Sequence, residues 1–398
     1  MHKRSELITV ILFCLIVFSF ATVFYIVPDS PYSETEKRND LQLMPEFNSE
    51  AFFSGKFAKE INKYYADQFP LRSFFVKAKG DFELLLGKRE NHGVLYSYDQ
   101  LALKDFPAYN IYDTEIRPEE DGEIKETDRI YLDSVKVQLE SVNKLADKLS
   151  VPLVTVLPPR TIDIADSKFA YDRPDGDKMF DMMNEVLNEK TGYIDTLSLL
   201  RPKYEQGEYV YYRTDHHWTT LGAYYVYCEI MESLGCKDSI IPKEEFEIES
   251  VRDFIGSTGA KSGFSCFKKD EIEIWHLNDD NEYEVIADGE DMGGFYVKSF
   301  ADTEDKYSLF MGGVHNTVSI TKKGEDRKTL LIARDSFSDC LVPFLAREFN
   351  IVTINLDIIQ DVAFAASYYE ADAVLLVYNA ENIIKTANLS NVMFTSVQ

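Results

Sequence analysis

The stretch TLLIARDSF, residues 329–337, runs from an apolar segment directly into a polar Arg-Asp-Ser sequence. Its first residues, Thr329 to Ala333, form a short apolar run that predicts a β-strand, and Phe337 to Glu348 predicts a helix. Ser336 is therefore expected at a strand-to-helix turn. Ligands of open α/β folds bind at the carboxyl edge of the sheet, and N–H groups at a helix start can hold an anion. The simpler alternative is that Asp335 or Ser336 only caps the helix.

Helices and short apolar strands alternate around that stretch. Apolar residues recur at spacings of three and four from Leu132 to Leu149, which predicts an amphipathic helix, and an apolar run follows at Val151–Leu157. Further strands are predicted at residues 193–195, 209–212, 351–355 and 372–378, and further helices at 175–188 and 219–234. Apolar strands between helices indicate a buried parallel sheet. The sequence thus predicts a three-layer α/β domain over residues 127–398.

Two other segments have different patterns. Residues 238–328 alternate polar and apolar positions, as in Glu271 to Trp275, and contain frequent turn residues, which predicts an antiparallel β insertion. Residues 29–126 are interpreted as a membrane-proximal linker and helical segment. Proline interrupts the helices at Phe69-Pro70, and an acidic loop is expected at 106–125.

The first 28 residues predict a membrane anchor. Leu7–Val27 carries no charge, and about 20 apolar residues are needed to cross a bilayer. The alternative is a cleaved signal peptide, whose apolar region is shorter and ends at a small-residue site. Lys3 and Arg4 precede the span, so the N-terminus is expected in the cytoplasm and the main domain outside the cell membrane.

Composition narrows the class of partner. The chain has 398 residues, with 42 basic and 68 acidic side chains, a net charge of −26. Such a surface repels phosphate backbones, so no nucleic-acid partner is expected. The five cysteines are widely spaced and indicate no disulfide framework. A single disulfide, such as Cys228–Cys266, is left as an alternative.

The stretch TDHHWT, residues 214–219, supplies the other chemistry-bearing side chains. Asp215 can fix the tautomer of His217, whose second ring nitrogen can then accept the proton of a serine. With Ser336 they make up a Ser-His-Asp set in the chain order Asp, His, Ser. The alternative is a loop with a capping Asp and a packed His.

A metal site is the other chemical alternative at this stretch. It would use Asp215, His216 and His217, with His276 or His315, but adjacent histidines rarely chelate one ion, so no metal is expected. An extended segment would turn His216 away from His217. Trp218 is expected to pack or to stack on a sugar.

These motifs resemble those of the DHHW-motif proteins, which look related to the SGNH-like domains of alginate O-acetyltransferases. Arg334-Asp335-Ser336-Phe337 is similar to that group's serine block, and residues 66–72, 254–257 and 310–313 are similar to its recurring segments. The resemblance implies an SGNH-hydrolase-like fold with Ser336 as nucleophile, His217 as general base and Asp215 as its orienting carboxylate. Arg334 stands where a glycine commonly precedes Asp-Ser in wider SGNH hydrolases. The N–H of Ser336 still qualifies as an oxyanion donor, and Asn316, Arg334 and Trp218 are the side-chain candidates for oxyanion or substrate contacts.

The resulting hypothesis is an anchored, extracytoplasmic O-acetyltransferase that acts on a cell-surface polysaccharide through an acyl-enzyme. No acetyl-coenzyme A motif is visible and no cofactor is expected. The resemblance implies a multi-spanning membrane O-acyltransferase as the partner that delivers acetyl groups. A carbohydrate esterase with the same triad and a non-catalytic glycan-binding surface protein are the alternatives.

Overall fold

A computed structural model describes residues 2–33, 35–38, 40–104, 126–165 and 177–393. The chain divides into two compact units, each of which is described by itself. The first unit comprises Met1–His92 and Ala260–Cys266, and the second comprises Gly93–Gly259 and Phe267–Gln398. The acidic loop expected at 106–125 lies outside the described residues.

The first unit is helical. Its helices are α1 (His2–Ile26), α2 (Ser49–Phe53), α3 (Lys56–Asp67) and α4 (Arg72–Leu85), followed by the short strand β1 (Glu90–Asn91). The interruption expected near Phe69-Pro70 separates α3 from α4, because proline lacks the N–H that a continuous helix needs. Aromatic rings join these helices: Phe20 of α1 stacks on Phe69 with ring centroids 5.5 Å apart.

Helix α1 contains the apolar span predicted from the sequence. Among the described residues it is the one helix long and apolar enough to cross a membrane, over Ser5–Ile26, and its most apolar stretch is fully unburied. A signal sequence meets the same criteria of length and composition. The helix therefore fits a single-pass anchor or a signal.

The second unit contains the remaining elements, α10 running on into the first unit. Its strands are β2 (Val94–Tyr96), β3 (Ala102–Lys104), β4 (Leu153–Val156), β5 (Tyr193–Ile194), β6 (Glu247–Phe254), β7 (Asp270–His276), β8 (Tyr283–Ala287), β9 (Glu290–Asp291), β10 (Thr317–Lys322), β11 (Thr329–Arg334), β12 (Asn350–Asn355) and β13 (Ala373–Val377). Its helices are α5 (Glu126–Lys148), α6 (Thr161–Ile164), α7 (Asp177–Val186), α8 (Thr196–Glu205), α9 (Thr220–Ser233), α10 (Ser257–Ser262), α11 (Val342–Leu345), α12 (Val362–Tyr368) and α13 (Ala380–Lys385).

An eight-stranded sheet forms the centre of this unit, in the order β5-β4-β13-β11-β12-β10-β8-β9. The first five strands are parallel; Leu330 of β11 lies between Ala373 of β13 and Ile351 of β12. Strands β11 and β13 are almost wholly buried, as expected for strands with helices on both faces. One helix layer includes α5, α7, α12 and α13, and the other includes α8, α9 and α11. The three-layer α/β prediction is confirmed.

The β insertion forms strands as predicted but divides them between two sheets. Strands β6 and β7 pair antiparallel with each other, as a separate two-stranded sheet. Strands β8, β9 and β10 instead extend the central sheet antiparallel, with β10 paired to β12. The central sheet is therefore mixed, with parallel and antiparallel strands. Alternate residues of β8 and β10 are apolar and buried, and they continue the buried face of the parallel strands.

Two predicted elements differ in the structure. Residues 209–212 do not form a strand in the described structure and contribute only a bridge between Tyr211 and Trp218. The helix expected over 337–348 is reduced to a 3-10 turn at Ser336–Ser338 and the short α11. Pro343 accounts for the break, because it lacks the N–H that a helix continuing from Phe337 would need, and it lies instead in the first turn of α11, where proline is tolerated. All five cysteines, which lie in the described residues, are free.

Candidate active site

Ser336 lies just beyond the carboxyl end of β11, at the predicted edge of the sheet. The preceding residue, Asp335, caps the 3-10 turn: its carboxylate accepts a hydrogen bond from the N–H of Phe337 at 3.0 Å. The same carboxylate accepts the N–H of Asn379 at 2.6 Å and the amide of Asn382 at 2.8 Å, both from the segment after β13. Asp335 therefore takes the capping role, and the Ser336 hydroxyl is left for another partner.

That partner is His217. The Ser336 hydroxyl donates to Nε2 of His217 at 2.8 Å, and Nδ1 of His217 donates to Oδ1 of Asp215 at 2.5 Å. The bond to the carboxylate fixes the proton on Nδ1, and Nε2 is thereby free to accept. The structure thus brings Ser336 to the Asp215–His217 pair, although Ser336 lies 119 residues beyond His217 along the chain.

The loop that carries Asp215 and His217 precedes α9. Thr219 caps α9 by accepting the N–H of Gly222 at 3.2 Å. The carbonyl of His217 accepts the N–H of Tyr212 at 3.3 Å, and the carboxylate of Asp215 also accepts the backbone N–H of His217 at 3.1 Å. These backbone bonds fold the loop back on itself, so both side chains point to the same place.

Asp215 is a buried carboxylate that remains ionised. Burial by itself raises its pKa, but the charges of His216 and His217 and the hydrogen bonds from His217 and Ser257 outweigh burial and hold the pKa well below its ordinary value. The Ser257 N–H lies 2.8 Å from Oδ2, the oxygen that does not face His217. Asp215 can therefore stabilise an imidazolium on His217 without taking its proton.

A second carboxylate anchors the loop. Asp270 of β7 accepts hydrogen bonds from the N–H of Arg213 at 2.9 Å, the N–H of Thr214 at 2.7 Å and the Thr214 hydroxyl at 2.5 Å. The Thr214 hydroxyl in turn accepts the N–H of Gly256 at 2.9 Å. A Cβ on Gly256 would lie 2.2 Å from the Cβ of Asp215, so the backbone there approaches Asp215 more closely than any side chain permits.

Tyr307 is a residue of this site that the sequence analysis missed. Its ring stacks on the imidazole of His217, with centroids 3.9 Å apart and planes 7° apart. Its hydroxyl donates to the carbonyl of Ser336 at 3.2 Å, and burial raises its pKa well above the ordinary value, so the phenol stays neutral. Tyr307 lies in a 3-10 turn of the polar insertion, where no periodic pattern singles it out. Ser257, the first residue of α10, and Asp270, the first residue of β7, were given no role from the sequence either.

His216 and Trp218 differ from expectation. The His216 ring does not point away from His217: their centroids are 3.9 Å apart, because the segment is a turn and not an extended strand. Trp218 is fully buried, donates from its indole N–H to the carbonyl of Phe337 at 2.9 Å and packs edge-on against the Phe337 ring. Trp218 thus packs beneath the site, and stacking on a sugar is excluded for a ring without exposed surface.

Arg334 and Asn316, the other candidates for contacts with substrate, lie away from the hydroxyl of Ser336. Arg334 is buried, and its Nη1 pairs with Asp339 at 2.8 Å. Asn316 is exposed, and its carbonyl accepts the N–H of Asn355 in β12. It thus lies two strands from β11, roughly 10 Å by the usual strand spacing, and makes no hydrogen bond to Ser336 or His217 in the described part of the chain.

Asp215, His216 and His217 are also the one group of side chains in the described residues whose ligand atoms approach closely enough for a metal, within 4.8 Å. Both ring nitrogens of His217 are occupied by Asp215 and Ser336, and the second oxygen of Asp215 accepts from Ser257. This donor set favours a proton-transfer chain over coordination, since a ligand nitrogen needs a free lone pair.

Such an arrangement has the parts required for nucleophilic acyl transfer. A hydroxyl faces a base, the base faces a buried carboxylate, and the backbone N–H of Ser336 begins a 3-10 turn, where N–H groups have no partner within the helix. Ser336 is half-buried as a residue.

Comparisons with known proteins support the fold. A crystal structure of a DHHW family protein from Eubacterium siraeum has a TM-score of 0.57 and 19% identity, covering 66% of this chain and 90% of that one. PatB1 of Bacillus cereus has a TM-score of 0.53 and 19% identity, covering 64% and 92%. PatB1 with a sulfonyl adduct has a TM-score of 0.54 and 18% identity, also covering 64% and 92%. At these identities the similarity establishes the fold alone. No curated protein matches the sequence.

The family model described as DHHW protein matches residues 137–355. This range is more than half of the chain and contains Asp215, His217 and Ser336. The chain belongs to the DHHW protein family.

Proposed function

We propose that the protein is a membrane-anchored O-acetyltransferase that modifies a cell-surface polysaccharide outside the cell membrane. The observation that carries this proposal is the unbroken hydrogen-bonded series from Asp215 through His217 to Ser336. The resemblance of the sequence motifs to the SGNH-like domains of alginate O-acetyltransferases favours acetyl transfer over other acyl chemistry.

In the proposed first half-reaction, Oγ of Ser336 attacks the carbonyl carbon of an acetyl donor while its proton passes to Nε2 of His217. The negative charge of Asp215 stabilises the imidazolium, and the N–H of Ser336 is the proposed donor to the developing oxyanion. Collapse of the tetrahedral intermediate breaks the bond to the leaving group, which takes the proton from His217. Ser336 then carries an acetyl ester.

In the second half-reaction a sugar hydroxyl gives its proton to Nε2 of His217 and attacks the acetyl carbonyl. The Ser336 ester bond breaks, the serine recovers its proton from His217, and the acetyl group remains on the sugar. The proposed donor is a multi-spanning membrane O-acyltransferase, since coenzyme A in the cytoplasm is out of reach of an outside domain. Retention of α1, with the N-terminus inside, is part of the proposal.

The proposal predicts the effect of one substitution in cells. Ser336→Ala should abolish O-acetylation of the surface polysaccharide, because no other group in the series can form the ester. Ser319→Ala, at an exposed serine on β10, is the matched control and should leave acetylation unchanged. Acetyl content would be measured on polysaccharide released from cells of each strain. Full acetylation in the Ser336 strain would rule the proposal out.

A carbohydrate esterase is the second candidate, because the same three side chains serve equally when water is the acceptor. One assay with an activated acetyl ester and an oligosaccharide distinguishes the acetyltransferase from the esterase. Transfer of the acetyl group to the sugar supports the acetyltransferase. Release of acetate at the same rate with and without the sugar supports the esterase.

A further inference from the structure

Helix α4 has an apolar face that is exposed. Phe74, Phe75, Ala78, Phe82 and Leu85 recur at spacings that place them within roughly 100° of arc on a helix with 3.6 residues per turn. The exposed fraction is 64% for Phe74, 61% for Phe82 and 85% for Leu85. Helices of soluble domains normally turn such a face toward the core, and large exposed apolar patches mark contact surfaces.

The opposite face of α4 is the one that packs. Gly80, half a turn from Ala78 and Phe82, is buried, and a Cβ at this glycine would lie 2.5 Å from the carbonyl oxygen of Gly263. Close backbone contact on that side fixes the helix within the first unit. The apolar face is therefore held outward by packing and cannot turn inward without breaking that contact.

Contacts with α1 show at which level along the apolar span of α1 this face of α4 lies. Phe20 of α1 lies against Phe75 of the apolar face, with ring centroids 5.9 Å apart, and stacks on Phe69 before α4. Phe20 precedes the end of α1 at Ile26 by six residues, or roughly 9 Å at 1.5 Å per residue. If α1 spans the membrane, Phe75 lies below the outer end of the span, where interfacial helices place their apolar side chains.

The charge of the segment fits the same environment. Lys56 to Arg89 contains eight lysines and arginines and four acidic residues, whereas the chain as a whole carries −26. Lys77 and Lys79 flank the apolar face on its two sides, where long side chains can extend to phosphate headgroups. An aromatic helix within a net basic segment, beside a spanning segment, has the composition that favours a lipid surface.

We propose that the apolar face of α4 lies in the outer interface of the lipid bilayer, as a second membrane attachment beside α1. The inference rests on the proposed retention of α1 in the membrane and is independent of the acetyltransferase chemistry. The occupant is lipid and not another protein, because Phe75 meets a ring of the span itself. The first unit is thereby held against the membrane surface.

Tryptophan fluorescence in full-length protein tests this inference. Leu85→Trp and Phe82→Trp would be purified with α1 present, as intact mass verifies, and placed in phosphatidylcholine–phosphatidylglycerol vesicles. The natural tryptophans, Trp218 and Trp275, are buried in the second unit, so the unsubstituted protein gives the background. Lipids brominated near the head of the acyl chain should quench most of the added fluorescence. Lipids brominated near the chain end should quench less, and iodide in the water little.

Three results would overturn the inference. Quenching by iodide but not by brominated lipid would place the face in water. Quenching by neither would mean that protein, such as a second copy, covers it. A mature chain that lacks α1 would remove the depth argument together with the proposed anchor, whereas the first two results leave the anchor and the acyl chemistry standing.

Discussion

At the scale of single residues, the function proposed for this protein depends on one imidazole and the groups that hold it. His217 is fixed by Asp215 on one ring edge and by the stacked ring of Tyr307 on one face. Its remaining nitrogen faces Ser336. A base held in this way needs no rearrangement to accept the proton of the serine, which is the advantage of a preorganised site.

Substitution of Tyr307 separates the two contacts that it makes. Tyr307→Phe keeps the stacked ring and loses the hydrogen bond to the Ser336 carbonyl, worth about 1 kcal/mol, so kcat should fall by less than about tenfold. Tyr307→Ala frees the imidazole to tilt, and kcat should fall by on the order of 100-fold with little change in KM. Steady-state kinetics with an activated acetyl ester would measure both. Equal losses in the two variants would show that stacking has no role.

Sequence alone identified the residues that carry a motif and missed those that support it. Asp215, His217 and Ser336 stand out because an Asp-x-His pair and a serine after an apolar strand are legible patterns. Tyr307 lies in a 3-10 turn, Ser257 at the start of α10 and Asp270 at the start of β7, and only folding brings them to the site. Trp218 belongs to the same recognisable motif as Asp215 and His217. Its burial could not be predicted, because the direction of its side chain depends on the backbone conformation of the turn, which the sequence does not specify.

At the scale of elements, the continuous apolar runs of β4, β11, β12 and β13 predicted the parallel sheet because a doubly covered strand is apolar on both faces. The alternating pattern of β8 and β10 predicted antiparallel strands, but it did not predict which sheet they join. A half-buried strand shows which residues face the core and does not specify its neighbouring strand. In particular, β10 pairs with β12, which is not the next strand in the sequence. This pairing depends on the path of the chain between the two strands, which a local sequence pattern does not specify.

The β6–β7 sheet supports the site through one carboxylate, and a matched pair of substitutions tests this. Asp270→Asn turns an NH2 group toward either the part-buried N–H of Arg213 or the buried N–H of Thr214, so the free energy of unfolding should fall by about 2–4 kcal/mol. Asp253→Asn changes the same charge at an exposed position that pairs with Lys269, and the loss should stay within about 0.5 kcal/mol. Urea unfolding of both variants gives the comparison. Indistinguishable stabilities would contradict the anchoring role of Asp270.

At the scale of the whole molecule, the lowered pKa of Asp215 links the site to stability. A carboxylate whose pKa is lower in the folded state stabilises the fold above its unfolded pKa, about 3.9, and this contribution is lost as the pH falls. The stability difference between the protein and Asp215→Asn should therefore shrink by about 1.4 kcal/mol for each pH unit below about 4. Unfolding curves between neutral and acidic pH would measure it. Parallel pH profiles for the two proteins would mean that Asp215 is not held ionised by the fold.

Intact-mass analysis of the detergent-solubilised protein after incubation with an activated acetyl ester is the most direct test of the proposed chemistry. Ser336→Ala and His217→Ala would be run beside the natural sequence. One added acetyl group, absent from Ser336→Ala and strongly reduced in His217→Ala, is the predicted result, because Ser336 forms the ester and His217 removes its proton. An adduct that persists in Ser336→Ala, or no adduct on the correctly folded natural protein, would contradict the assignment of Ser336 as the nucleophile.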